Sequence, residues 1–422
     1  MRKFIDSGVD WIGEIPDSWH VGKVKHAFVR KKAEAKQEDP VILSLARTGV
    51  RIRDISNNEG QIAESYYNYN PVEPGDFLMN PMDLYSGANC SISHVAGVIS
   101  PAYFNLGAKE GYCAEYYDFY FKTQYWAMAL FAHGKGVSFD NRWTLNAETL
   151  FNYFIPVPPF AEQQKIANYL TVVCTELDRM IEQTKQSIAE YWKLKQSVIM
   201  EAVTKGIGCD QMFKNSGIDW IGDIPSTWDI KMAFQLFSQV KNKNTGLIER
   251  NLLSLSYGKI KRKSIDSVGG LLPENFEGYN IIEPDDIVLR LTDLQNDHTS
   301  LRVGLSKERG IVTSAYVTIR NKSENLPQYL YYFLHSFDIA KGFYGMGAGV
   351  RQGLNWDGVK KLKIVLPPID EQRQIVEHLE SKCLEIDQII AQKEIYVDEI
   401  EAYRRSLIYQ YVTGKKEVPA CQ

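Results

Sequence analysis

The chain has 422 residues, of which 44% are hydrophobic and 24% are charged, and its formal net charge is −4. This composition is typical of a globular protein of two or three domains and excludes a uniformly basic DNA coat protein. There is no signal-like apolar start and no run near the ~18 apolar residues of a membrane span. The six cysteines are scattered without a CxxC pair. We therefore expect a protein of the reducing cytoplasm, with no membrane association, disulfide framework or zinc site.

The first element is a short tryptophan motif close to the amino terminus. Residues 7–19 have the sequence SGVDWIGEIPDSW, and residues 216–228 have the sequence SGIDWIGDIPSTW, an offset of 209. Such a period is too long for a solenoid repeat and indicates duplication of a whole unit. We interpret the four tryptophans as packing anchors rather than as platforms for stacked bases; they are Trp11, Trp19, Trp220 and Trp228.

A variable body follows each tryptophan motif, at about 20–155 and 229–365. Both bodies contain short runs of Tyr, Phe, Val and Ile that are interrupted by Gly, Pro and Asn. This pattern predicts mixed α/β domains with short strands and a few helices, for example at 114–132 and 327–342. The second body carries 19 basic and 14 acidic residues, which is compatible with DNA binding without proving it.

A proline motif and a long helix close each copy. PPFAEQQKI begins at Pro158 and PPIDEQRQI begins at Pro367, again at an offset of 209. Each motif is followed by about 40 residues whose apolar positions recur every 3.5 residues, which is the stripe of a coiled coil. Each helix needs a partner for its stripe, and the obvious partner is the other copy. The stripe of the second copy comprises Ile375, Leu379, Cys383, Ile386, Ile390, Val397, Ile400, Leu407 and Tyr411.

These elements predict a mixed α/β protein with a pseudo-two-fold internal repeat. Two α/β domains are separated by two long helices, which form an antiparallel coiled coil. The predicted segments are a first domain, the central helix, a second domain and a carboxy-terminal helix, at 1–155, 156–206, 207–365 and 366–422.

The order of motifs closely resembles the specificity (S) subunits of type I restriction-modification systems, over essentially the full length. The resemblance rests on the two WIG-x-IP-x-x-W motifs and the two PP-x-x-EQ motifs with their helices. It implies that each body is a target-recognition domain for one half of a split sequence in double-stranded DNA. It also implies that the helices set the spacer between the halves and bind two methyltransferase (M) subunits, which restriction/translocase (R) subunits join.

The same resemblance implies that the chain is not itself an enzyme. S-adenosylmethionine, ATP and magnesium then belong to the partner subunits. Two alternatives stay open at this point. One is a duplicated coiled-coil scaffolding protein without DNA specificity. The other is the recognition subunit of a related system with fused cleavage and methylation.

Each body contains a Leu-Ser-Leu segment, at 43–45 and at 253–255, which we interpret as a strand. The basic residues that follow these two segments are the first candidates for DNA contact. A stripe of basic side chains on one face of a strand suits phosphate contacts, which position a protein on DNA without specifying sequence. A solvated loop is the alternative interpretation. The candidates are Arg47, Arg51, Arg53, Lys259, Lys261, Arg262 and Lys263.

Two glycine-rich segments are the second candidates. GKGVSFDNRW from Gly134 and GAGVRQGLNW from Gly347 align at an offset of 213, and each ends in a tryptophan. Arginine pairs with guanine, and asparagine or glutamine pairs with adenine, so these residue types suit base recognition. A structural loop anchored by Trp143 and Trp356 is the alternative. The candidates are Lys135, Asn141, Arg142, Arg351, Gln352 and Asn355.

The remaining candidates are weaker. Arg290, near Thr292 and Asp293, is a third candidate for DNA contact, although an ion pair at the strand end explains it equally well. The Glu-Gln pairs at the two helix starts are interpreted as helix caps or partner contacts; they are Glu162, Gln163, Glu371 and Gln372. Asn80-Pro81-Met82-Asp83 lacks the second proline and the aromatic residue of an adenine methyltransferase motif, so we predict no catalytic site.

Overall fold

The computed structural model describes residues 2–56, 63–82, 84, 89–136, 143–208, 211–264, 276–294, 301–346 and 353–419. The chain divides into two compact units. Unit 1 comprises Met1–Thr184 and Ile395–Gln422, and unit 2 comprises Lys185–Glu394. Each unit therefore contains one variable body together with one part of each long helix.

Unit 1 contains twelve short strands and four short helices within its described residues, followed by the first long helix. The strands are β1 (Phe4–Asp6), β2 (Glu14–Pro16), β3 (His20–Lys23), β4 (Phe28–Arg30), β5 (Leu43–Ala46), β6 (Gly49–Ile52), β7 (Asn70–Val72), β8 (Phe77–Met79), β9 (Cys90–Ile92), β10 (Gly97–Ile99), β11 (Phe104–Ala108) and β12 (Phe154–Val157). The helices are α1 (Val24–Ala27), α2 (Ala114–Trp126), α3 (Ala129–Ala132), α4 (Ala147–Asn152) and α5 (Phe160–Lys205).

A four-stranded antiparallel sheet in the order β4-β11-β8-β9 is the centre of unit 1. Four two-stranded antiparallel sheets surround it, namely β1-β2, β3-β12, β5-β6 and β7-β10. Helix α2 contributes buried aromatic residues to the main core, among them Tyr116, Tyr117 and Phe121. Burial of such side chains contributes roughly 1.5–3 kcal/mol each, so α2 is held by its packing.

Unit 2 repeats the strands of this organisation one by one, with a 3-10 turn in place of one short helix. Its strands are β13 (Phe213–Asn215), β14 (Asp223–Pro225), β15 (Asp229–Met232), β16 (Phe237–Gln239), β17 (Leu253–Ser256), β18 (Lys259–Arg262), β19 (Asn280–Ile282), β20 (Ile287–Leu289), β21 (Val303–Leu305), β22 (Gly310–Val312), β23 (Val317–Asn321) and β24 (Lys363–Leu366). Its helices are α6 (Ala233–Leu236), α7 (Pro327–Ile339), α8 (Trp356–Val359) and α9 (Ile369–Val412), with a 3-10 turn at Tyr344–Met346. The main sheet has the order β16-β23-β20-β21, which matches the sheet of unit 1.

Helices α5 and α9 run antiparallel within each unit. In unit 1, Arg404 of α9 forms an ion pair with Asp178 of α5. In unit 2, Lys195 of α5 lies 2.6 Å from Asp387 of α9. A later residue of α5 thus pairs with an earlier residue of α9, which is the pairing of two antiparallel helices.

The predicted stripe of the second long helix is buried at every one of its nine positions, from Ile375 to Tyr411. This result and the two α/β bodies confirm the predicted mixed α/β class with two long paired helices. No helix in the described part of the chain combines the length and the hydropathy that a membrane span requires.

The two kinds of repeated motif bind each other inside each unit. The indole Nε1 of Trp19 donates a 2.9 Å hydrogen bond to Oε2 of Glu162 at the start of α5. The indole Nε1 of Trp228 donates an equal 2.9 Å bond to Oε2 of Glu371 at the start of α9. Trp19 and Trp228 are 3% and 0% exposed. The interpretation of these two tryptophans as packing anchors is therefore confirmed.

The neighbouring glutamines are buried and hydrogen-bonded inside their own units. Gln163 and Gln372 are 0% and 1% exposed, and their amides close loops within their own units. Gln163 accepts a hydrogen bond from the backbone of Cys113 and donates to the carbonyl of Pro158, both at 2.9 Å. Gln372 does the same with Leu326 and Pro367. These contacts are internal to each unit, and partner binding by Gln163 and Gln372 stays a prediction.

Candidate nucleic-acid interface

The first basic cluster lies on the β5–β6 hairpin of unit 1. Ser44 pairs with Arg51 across the hairpin, and Leu43 and Leu45 point into a small apolar core. Arg47 is exposed at the turn, and Arg51 is exposed with its Nε at 3.4 Å from Ser44 Oγ. Arg53 lies one residue beyond the strand and is half-buried, so it does not extend the exposed stripe as far as the alternation predicted.

The second basic cluster lies on the equivalent β17–β18 hairpin of unit 2. Lys259, Lys261 and Lys263 are all exposed, while Ile260 between them packs against an apolar core. This alternation leaves the three ammonium groups in solvent on one side of the strand. A row of flexible cations suits contacts with DNA phosphates, which position a protein on the duplex.

Arg262 differs from the three lysines in its surroundings. Its Nε lies 2.8 Å from Oε2 and 3.0 Å from Oε1 of Glu308, although its side chain is 74% exposed. The guanidinium holds the pKa of the Glu308 carboxyl below its usual value through these hydrogen bonds. Its charge is therefore compensated within the unit, and DNA contact by Arg262 stays a prediction.

The segment that follows β20 is shaped by an arginine that the sequence did not point to. Arg302 is 0% exposed, and its Nη1 donates to the carbonyls of Arg290 and Thr292 at 3.1 and 2.8 Å. Its Nε also donates to the hydroxyl of Tyr344 at 3.2 Å. Arg302 therefore supports the backbone of Arg290, whose own side chain is half-buried. Only the fold shows this role, because a buried arginine is rare and carries no sequence signature.

The glycine-rich segments are described only at their ends. Lys135 is exposed and pairs with Thr144 through backbone hydrogen bonds of 2.9 and 3.0 Å. Asn355 is exposed, and its side chain accepts a 3.2 Å hydrogen bond from the backbone of Gly358 as the cap of α8. Four predicted DNA contacts lie outside the described residues; they are Asn141, Arg142, Arg351 and Gln352.

The structure corrects the alignment of these two segments. Leu145 donates a backbone hydrogen bond to the carbonyl of Pro81, and Leu354 donates one to that of Leu291, both at 2.9 Å. The following residues, Asn146 and Asn355, both cap short helices. These positions correspond at an offset of 209, so the expected correspondence of Trp143 with Trp356 at 213 is wrong. Backbone pairing and helix caps set the register, and the tryptophans occupy different places.

Several predicted segments nevertheless lie together in unit 2. In unit 2, the backbone of Gly258 in the hairpin turn donates to the carbonyl of Leu301 at 3.2 Å, next to Arg302. The bond from Leu354 to Leu291 joins the end of the glycine-rich segment to the same region. The hairpin turn, the segment after β20 and the end of the glycine-rich segment are therefore neighbours in unit 2.

The described residues contain no group of three or more His, Cys, Asp or Glu side chains that could hold a metal ion. Within the described residues, the candidate surface instead carries cationic and amide side chains on short loops. Such a surface is suited to phosphates and to the edges of bases.

Comparison with protein families identifies one matching model. Residues 256–396 match the type I restriction modification DNA specificity domain. This segment includes the β17–β18 hairpin, the main sheet of unit 2 and much of α9.

Two curated proteins resemble the chain over most of its length. The putative type I restriction enzyme MjaX specificity subunit of Methanocaldococcus jannaschii is 22% identical over 437 residues, covering 96% of each chain. The type I restriction enzyme MjaVIII specificity subunit of the same organism is 25% identical over 365 residues, covering 82% of this chain and 80% of that protein.

A solved structure shares the fold. A chain from a study of complex assembly and conformational transition of the type I R-M system matches with a TM-score of 0.70 at 13% identity. The match covers 95% of this chain and 99% of that chain. The shared architecture therefore extends over both units and both long helices.

Proposed function

We propose that this chain, which belongs to the family of type I restriction enzyme specificity subunits, recognises two half-sites in double-stranded DNA, one with each unit. The observation that carries the proposal is the repetition of one surface with different side chains. Each unit has a basic hairpin, a segment after the third strand of its main sheet and the end of a glycine-rich segment at equivalent places in the same topology. Equivalent surfaces with different side chains are what two different half-sites require.

Within each unit, the two classes of contact have separate tasks. The lysines of the β17–β18 hairpin and the arginines of the β5–β6 hairpin bind phosphates and set the position of the unit on the duplex. The strand-end and glycine-rich segments contact base edges, where arginine and amide side chains distinguish the base pairs. Arg302 supports base recognition indirectly, because it holds the backbone from Arg290 to Asp293.

The paired helices connect the two half-site contacts in this proposal. Linking two weak contacts makes the second binding event intramolecular and raises the overall affinity. A helix pair of fixed length also fixes the number of base pairs between the halves, since a helix rises 1.5 Å per residue and cannot stretch.

The helix pair and the repeated motifs are also the proposed binding surface for two methyltransferase subunits, which restriction/translocase subunits join. The internal repeat supports a count of two, because it offers equivalent surfaces twice. In this assignment the chain supplies recognition without catalysis, and S-adenosylmethionine, ATP and magnesium act in the partner subunits. Glu162 and Glu371 bind a partner only through the part of the carboxylate that their tryptophans leave exposed.

Genome-wide mapping of methylated adenines tests the proposal. The chain is co-expressed with the methyltransferase encoded beside it in a host without other adenine methylation, and long-read sequencing identifies the modified sites. We expect one asymmetric motif of two short halves separated by a fixed spacer. A stable complex that methylates no new motif would contradict the proposal and favour the scaffolding alternative.

A further inference from the structure

Unit 1 contains a groove that the sequence did not indicate. It has a volume of about 920 Å³ and lies between the β5–β6 hairpin, helix α2 and the paired parts of α5 and α9 that belong to this unit. Arg47 lines it from the hairpin, Lys122 and Trp126 line it from α2, and Arg404 and Arg405 line it from α9. We call it the unit 1 groove.

The charges along the unit 1 groove are only partly compensated. Lys122 lies 2.7 Å from Asp118, and Arg404 forms an ion pair with Asp178. The lining also includes Glu115. Within the part of the chain that the structure describes, neither Arg47 nor Arg405 has a carboxylate at salt-bridge distance. These two guanidinium groups, one on each wall, are the cations left for an anionic ligand.

A further contact indicates an anion rather than an apolar ligand. The guanidinium carbon of Arg405 lies 5.7 Å from the centre of the Trp126 ring, which holds the side chain at the groove wall while leaving its N–H groups free to donate. Oδ1 of Asp118 has no hydrogen-bond partner among the described residues, but Lys122 forms a salt bridge with Oδ2 of the same carboxylate.

We propose that the unit 1 groove binds the DNA sugar-phosphate backbone, with Arg405 of the long helix and Arg47 of the hairpin donating to phosphate oxygens. The inference rests on the proposed function and extends it, because it makes the helix pair itself a DNA-contacting surface in unit 1.

The equivalent positions of unit 2 make the contact specific to unit 1. At the repeat offset of 209, Arg405 corresponds to Gln196 and Arg404 to Lys195, which pairs with Asp387 as Arg404 pairs with Asp178. On the hairpin, β5 (Leu43–Ala46) matches β17 (Leu253–Ser256) at an offset of 210, so Arg47 corresponds to Tyr257. The two cations that remain uncompensated in unit 1 are therefore both absent from unit 2.

The substitution Arg405→Gln tests the inference, because glutamine is the residue that the repeat itself has at the corresponding position of the helix pair. It is made in the full chain, in complex with its methyltransferase subunits. Affinity is measured for a duplex that carries the target and for a duplex that does not, over a range of salt concentrations. Arg179→Gln is the matched control, since Arg179 lies on the same helix pair, is paired with Glu176 and does not line the groove.

We expect Arg405→Gln to weaken binding to both duplexes roughly 3- to 10-fold near physiological salt. We also expect it to lower the slope of log affinity against log salt by ~0.9, the loss of about one phosphate contact. Arg47→Gln gives the same pattern, Arg179→Gln changes neither quantity, and all variants keep the thermal unfolding midpoint of the parent. Unchanged affinity and slope for Arg405→Gln, or a loss confined to particular bases, would overturn the inference. Failure of the proposed function is a separate result, in which the parent complex itself shows no preference for any duplex.

Discussion

At the scale of single residues, the two tryptophan–glutamate pairs show that the repeated motifs make the same contact in each unit. Trp19 with Glu162, and Trp228 with Glu371, are separated by 143 residues in each case and are joined by hydrogen bonds of equal length. Each bond involves an ionised carboxylate next to a buried indole, and such bonds are stronger than neutral ones. The pair ties the entry of each unit to the first turn of a long helix.

We predict that Trp228→Phe destabilises unit 2 by at least about 1.5 kcal/mol, because the Glu371 carboxylate loses a hydrogen bond in a partly buried place. The free energy of unfolding is measured by urea denaturation. The control is Trp192→Phe, at a side chain that is 39% exposed, for which we expect a change within about 0.5 kcal/mol. Equal effects of the two substitutions would show that the bond to Glu371 is unimportant.

His335 gives unit 2 a pH dependence of its own. The side chain is 8% exposed, its Nδ1 has no partner among the described residues, and its ring stacks on Tyr331 at 5.6 Å. Burial, assisted by the charge of Lys195, lowers the pKa of His335 to about 4. The unfolded chain therefore takes up a proton near pH 6.5 that the folded unit does not accept until about pH 4.

Stability of unit 2 should consequently fall as the pH decreases from about 6.5 to 4, by at most about 3 kcal/mol from this residue. We expect His335→Phe to remove that part of the pH dependence, as measured by urea unfolding at a series of pH values. The exposed His20→Gln serves as the control. A pH profile that is the same with and without His335 would contradict this assignment.

At the scale of secondary-structure elements, the β17–β18 hairpin combines packing and binding in one short strand. Ile260 packs into the apolar core, while Lys259 and Lys261 on either side are exposed. The two-residue period of a strand produces this division from sequence alone. Arg262 is the last residue of the same strand and is held by Glu308, an acceptor 46 positions away that no local pattern predicts.

We predict that replacing Lys259, Lys261 and Lys263 together by Gln lowers the salt slope of DNA binding by nearly 3, since each phosphate contact contributes ~0.9. The matched control replaces Lys382 and Glu385 of α9 together by Gln, which removes an exposed ion pair of the same unit without changing the net charge. We expect the control to keep the slope of the parent. A similar slope for both variants would show that the lysines do not contact phosphates.

In the glycine-rich segments, sequence alignment of the two copies pairs residues that are not structurally equivalent. Trp143 and Trp356 look equivalent in sequence, yet Trp143 donates its indole hydrogen to the carbonyl of Phe131 and Trp356 is the first residue of α8. The equivalent residues are the helix caps Asn146 and Asn355. Loop lengths differ between the copies, so only the backbone pairs at their ends define the register.

At the scale of the whole molecule, each unit is assembled from distant parts of the chain. Unit 1 includes the last 28 residues, Ile395–Gln422, and the part of this segment up to Val412 is the end of a helix that begins in unit 2. Arg2 donates to the carbonyl of Gly414 and pairs with Glu162, so both chain ends belong to one unit. Both long helices therefore contribute to the stability of both units.

We predict that four extra residues in each long helix, after Thr184 and after Glu394, lengthen the spacer of the DNA target without changing either half. Four residues add about 6 Å of helix, which is comparable to the rise of one or two base pairs. Methylated adenines are mapped for the variant and the parent in the same host. An altered half-site, or a spacer of the original length, would contradict the proposal that the helices set the spacing.

The sequence by itself determined the duplication, the two α/β bodies and the long helices, because these depend on local periodicity and on motifs that occur twice at one offset. All nine residues of the predicted stripe on α9 are buried as that period requires. Only the tertiary structure decided which polar groups meet. The bond from Trp19 to Glu162, the burial of Gln163 and Gln372, the support of Arg290 by Arg302 and the groove beside Arg405 all join distant or irregular segments. Such contacts arise from packing and hydrogen-bond satisfaction in three dimensions, which no local pattern encodes.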